Sequence, residues 1–84
     1  MEIDPRIYQL SIRTKLIQLS DTRIGISMVR KSRIIQKDAF KIIDTAKTIR
    51  QIDPQLEISL VCTHNICSKS ILLLQNNAID IAYV

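Results

Sequence analysis

Cys62, His64 and Cys67 stand close together in the segment VCTHNICSKS, and they are the residues whose types most directly suggest chemistry. Thiolates are nucleophiles and metal ligands, and imidazole is a base and a metal ligand. A structural zinc site needs four ligands at set spacings. With no second Cys/His cluster in the chain, only Asp80 or a symmetry-related copy remains to complete the set, so no metal centre is expected. A nucleophilic triad needs a nucleophile, a base and an orienting acid. Cys62 and His64 supply two of these and no third member stands out. The expectation is no catalytic set, with Cys62 the single candidate nucleophile. Its competing role is a small apolar residue closing a buried strand.

The second chemically suggestive group is basic. Residues 1–50 hold 11 of the 12 Lys and Arg and five of the eight acids, while residues 51–84 hold Lys69 against Asp53, Glu57 and Asp80. The two parts therefore carry +6 and −2, giving the net +4. The densest run is Arg30, Lys31, Arg33 and Lys37. Such a cluster is either a solvated face or a contact surface for anions or nucleic acid. Only Tyr8, Phe40 and Tyr83 are aromatic, few for stacking bases. The chain has one glycine, Gly25, so no phosphate-cradling loop can be written and no cofactor is expected.

These residues must be placed by a small fold. Eighty-four residues suffice for one domain, 1–84, with a single core. Seventeen isoleucines supply stiff, branched apolar bulk for it. The longest apolar run, Ile71–Leu74, is far short of a bilayer span, and the first residues show no apolar leader, so a cytoplasmic protein with reduced thiols is expected. In Lys37–Arg50, Ala39, Ile42, Ile43, Ala46 and Ile49 share one helical arc, and Asp53-Pro54 ends it. Arg23–Arg30, Leu56–Val61 and Ala78–Val84 read as strands. Ile66–Gln75 reads as a helix, with a strand over Ser70–Leu74 as the alternative. Pro5–Leu19 shows both helical and alternating spacing, and the helix is preferred because Pro5 suits a first turn. The order is then αβαβαβ. Strands separated by helices pair in parallel, so a small, mostly parallel sheet of about three strands is predicted.

The stretch IRQIDPQLEISLVCTHN followed by SILLLQNNAIDIAYV resembles the latter part of response-regulator receiver domains, and RIGIS with AKTIRQIDP and NNAIDI is similar to cobalamin-binding domains. Both imply a flavodoxin-like fold over about 60 residues. The receiver phosphoacceptor would fall on Ser27, Met28 or Val29, and the cobalamin Asp-x-His-x-x-Gly motif is missing, so neither activity carries over. The segment Val61–Ser70 is similar to the phosphate loop of low-molecular-weight tyrosine phosphatases and, more loosely, to phosphotransferase-system B components. That likeness places Cys62 on the nucleophile and Cys67 on the second cysteine, but puts Ser68 where the clamping arginine belongs and His64 where a glycine belongs. DTAKTIR and its preceding basic loop are faintly similar to small archaeal chromatin proteins.

With no complete catalytic set, the expected function is a non-catalytic regulatory or assembly module that binds protein. Self-association as a homodimer is expected to cover exposed strand edges. The alternatives are a nucleic-acid binder using the basic half, and a cysteine-dependent phosphate-handling enzyme using Cys62.

Overall fold

The structure is a computed structural model, and it describes residues 2–84. Five strands and two helices follow one another: β1 (Glu2–Ile3), a 3-10 turn (Pro5–Tyr8), β2 (Leu16–Ser20), β3 (Arg23–Ser27), α1 (Gln36–Ile52), β4 (Glu57–Cys62), α2 (Ser68–Asn76) and β5 (Ile79–Tyr83). The sheet order is β1-β2-β3-β4-β5. The β1–β2 and β2–β3 pairs are antiparallel, and β3–β4 and β4–β5 are parallel.

The three-stranded parallel αβαβαβ sheet expected from the sequence is therefore wrong, and with it the receiver-like architecture. The error lies in the first 20 residues. Pro5–Tyr8 forms a single 3-10 piece, which Gln9 ends in the left-handed region at φ 59°, and Ser11–Thr14 makes a turn closed by the Thr14 amide on the Ser11 carbonyl. The helical spacing of Tyr8, Ile12, Leu16 and Leu19 marks no buried face, since Leu16 is 2% exposed but Leu19 is 41% and Ile12 74%. Leu16–Ser20 instead folds back on β3 through Asp21-Thr22, which pairs Ser20 with Arg23. A connection of two residues admits only antiparallel strands.

In α1 the buried residues are Ala39, Ile42, Ile43, Ala46 and Ile49, the three-and-four spacing of one helical stripe. Asp53 departs from helical geometry at φ −135°, ψ 88°, as a residue before proline must. The Ser70–Leu74 segment is helical, lying within α2. Between α2 and β5 the left-handed residue is Ala78, at φ 57°, rather than either asparagine. The Arg50 guanidinium holds that corner by donating to the carbonyls of Asn77 and Ala78 at 3.0 and 2.6 Å.

Register stacks the core in rows. Ile24, Ile58 and Ile79 are aligned across β3–β5, and Ile26, Leu60 and Ile81 form the next row. These residues, with Leu16 and Cys62, pack against α1 and Leu74 of α2 in one hydrophobic cluster. Each fully buried isoleucine or leucine contributes about 1.5–3 kcal/mol, which is how 84 residues sustain a core with so few aromatics. No helix among the described residues is long and apolar enough to cross a membrane.

Candidate functional site

The sheet has two unlike faces. One carries the core rows and receives the helices. On the other, register places Arg23, Gly25 and Ser27 of β3 beside Glu57, Ser59 and Val61 of β4, with Asp80 and Ala82 of β5 continuing the rows. Val61 is only 6% exposed, yet it stands outside the core cluster. It is shielded on its own face, where its Cγ2 lies 2.8 Å from the position a Cβ on Gly25 would occupy and Leu19 Cδ1 lies at 3.1 Å. Gly25 is thus required by close approach: Val61 and Leu19 close over its backbone.

One end of this face is polar and closed on itself. Arg23 donates to Ser59 Oγ at 2.7 Å, to Asp80 Oδ2 at 3.0 Å and to Glu57 Oε2 at 2.5 Å. The arginine ties three strands together, and it satisfies the buried Ser59 hydroxyl. The carboxylates are well exposed, so the ion pairs contribute little stability by themselves. What they do is neutralise Arg23, beside which Arg50 borders the same end of the sheet. No sequence pattern marked Arg23 as a bridging residue, because its partners lie 34 to 57 positions away.

The residues singled out from sequence lie elsewhere, at the far ends of β3 and β4. The loops following those strands are zipped together: Ile34 pairs with Ile66, Ile34 N donates to Asn65 O at 2.9 Å, and Cys67 N donates to Ile34 O at 3.0 Å. Asn65 Nδ2 adds a bond to the Lys31 carbonyl at 2.8 Å. Lys31, Arg33 and Lys37 are exposed here. Arg30 is tied to Asp38 at 2.6 Å, so the four cations do not act as one free cluster.

The two cysteines sit in opposite environments. Cys62 points into the core and is fully buried, and that burial pushes its thiol pKa up. Cys67 caps α2 from a half-buried position, 2.8 Å from Ser70 Oγ and with Ser70 N donating to its sulfur at 3.4 Å. The Ser70 bonds, with a lesser share from the Arg33 charge, pull its thiol pKa down. The features of an activated thiol therefore gather on Cys67, whereas Cys62 has the placement of a core residue. The imidazole of His64 stacks on Tyr83, with ring centroids 4.3 Å apart and planes 4° from parallel, which ties the β4 loop to β5. Among the described residues no three His, Cys, Asp or Glu side chains converge as a metal-binding group.

The fold and site thus define a two-layer α/β protein: a mixed sheet, two helices on one face, and a second face bare of any element. Comparison with protein-family models, with curated proteins and with solved structures finds no match for this chain.

Proposed function

We propose that the protein is an assembly module that binds protein through the bare face of its sheet, and that the occupant of that face is a second copy of the chain. The observation that supports this is the three-stranded parallel segment β3–β4–β5 with helices on one side only. Parallel strands are normally covered on both faces. Leu19, 41% exposed, and Ala82 offer the apolar surface of this face to another sheet approaching at the usual spacing of about 10 Å.

The charges of the face are satisfied within each copy, which leaves its apolar residues to make the contact. The face presents Arg23 with Glu57 and Asp80, already paired with one another. The free lysines of the helix layer, Lys37, Lys41 and Lys47, lie on α1. Joining two copies through the sheet holds these cations apart.

Sedimentation equilibrium at micromolar concentration tests the reading. The expected result is a dimer, shifted to monomer by Ala82→Arg with an unchanged circular dichroism spectrum. A wild-type chain that remains monomeric, or an Ala82→Arg variant that remains dimeric, overturns it.

A further inference from the structure

On the helix side of the sheet a cleft opens between α1, the end of β3 and the loop before β2. Its volume is about 280 Å³, at the low end of the roughly 300–1,000 Å³ of small-ligand sites. Three cations line it: Arg13 and Lys15 from the loop, and Lys41 from α1. None of them takes part in an ion pair among the described residues, unlike Arg6, Arg23 and Arg30. Ile26, Met28 and Ile42 form an apolar floor. Thr14 and Thr45 add hydroxyls at its walls, the Thr45 hydroxyl donating to the Lys41 carbonyl at 3.0 Å.

The three cations are exposed at the rim of a concave, partly apolar site, where an anion would gain charge-assisted hydrogen bonds. Two acids stand one turn from Lys41 on α1: Asp44, which makes no ion pair among the described residues, and Asp38. Asp38 is already engaged by Arg30 and the Ile35 amide at 2.6 and 3.0 Å. Its charge reaches Lys41 as well, and Arg13 and Lys15 have no ion-pair partner among the described residues. A dianionic phosphate would supply the missing countercharge and accept hydrogen bonds from all three side chains. The apolar floor would receive the rest of the molecule, and the Met28 thioether suits an aromatic ring.

We infer that this cleft binds a small phosphate ester with an apolar or aromatic body, of mononucleotide size. A nucleic-acid strand is the less favoured ligand. The cleft accommodates one such unit, and Tyr83, one of the few rings able to stack bases, is occupied with His64 on another part of the fold. The site opens on the helix side of the sheet and meets the bare face only at Ser27.

Calorimetric titration of the full chain with adenosine monophosphate, inorganic phosphate, adenosine and a single-stranded oligonucleotide tests the inference. The expected result is saturable one-to-one binding of adenosine monophosphate, competed by inorganic phosphate and absent for adenosine. Lys15→Ala and Lys41→Ala should each weaken it by about tenfold or more, the loss typical of a charge-assisted bond, while Lys69→Ala leaves it unchanged. The Met28 methyl resonance should shift on binding. Variants are compared only after circular dichroism shows them folded, and the methyl shift locates the ligand in the wild-type chain without any variant. Absence of saturable binding by both phosphate compounds overturns the proposal. So does equal weakening by Lys69→Ala, a methyl resonance that does not move, or binding restricted to the oligonucleotide.

Discussion

At Cys62 and Cys67 one residue type is given opposite chemistry by position. Cys62 faces inward at the end of β4, where burial opposes ionisation; Cys67 faces the first turn of α2, where the Ser70 hydroxyl and amide favour the thiolate. Brief treatment of the native protein with iodoacetamide should therefore alkylate Cys67 and spare Cys62, as read by peptide mass spectrometry. Cys67→Ser should abolish the rapid labelling. Preferential labelling of Cys62 would contradict the burial argument. Gly25 makes a second residue-scale case. A methyl added there meets Val61 Cγ2 at 2.8 Å, and valine has little rotamer freedom with which to retreat. Gly25→Ala should destabilise the protein by about 1–3 kcal/mol in urea unfolding, the usual cost of overpacking. Val61→Ala in the same chain should recover part of that loss, since contacting sites couple. Additive losses would show that the two side chains do not compete for space.

Among the elements, α1 shows how a helix starts without a polar N-cap. Ile35 occupies the cap position and offers no side-chain acceptor, so Asp38 supplies the ordering from inside the first turn. Its carboxylate accepts from the Ile35 amide at 3.0 Å and pairs with Arg30. The Ile35 amide bond, with a smaller share from the Arg30 charge, holds the Asp38 pKa below the ordinary carboxylate value. A depressed folded pKa stabilises the protein fully above the unfolded value of about 3.9 and loses that contribution as pH falls through the folded value. Asp38→Asn should cost about 1 kcal/mol at neutral pH, the size of a capping interaction. The gap between variant and wild type should close on acidification, where both side chains are neutral. A gap that persists in acid would assign the effect to shape rather than charge. The helical spacing within Pro5–Leu19 produces no α-helix for a related reason. Periodicity reports a face only if that face is buried, and here Ile12 and Leu19 remain exposed.

Across the whole molecule, charge and apolar surface are divided between two sides. The sheet side is locally paired and bare, whereas the helix side carries the exposed lysines of α1 and the Arg13–Lys15–Lys41 cleft. Association through the bare face is expected to be apolar in origin, so added salt should leave the dimer intact in sedimentation. Phosphate-ester binding in the cleft should weaken with the same addition, because it rests on exposed charges. A dimer that dissociates in salt would move the contact to the charged side of the protein.

The division between what the chain announces and what folding decides follows from the range of the interactions involved. Helix α1 was legible because its stripe and its Asp53-Pro54 stop are local. The strand character of 57–62 and 79–83 was legible from short β-branched runs for the same reason. The hairpin that adds β2 and β1 was not, since its partner register depends on which residues find a core. Nor was the face left bare, the cysteine whose pKa is drawn down, or the approach of Arg13 and Lys15 to Lys41. Each of these depends on groups far apart in sequence being brought into contact, and only the packed sheet and helices set those distances. Amino-acid order determined the local elements and the supply of isoleucine. Tertiary packing decided which side chains meet, and therefore where the protein can bind.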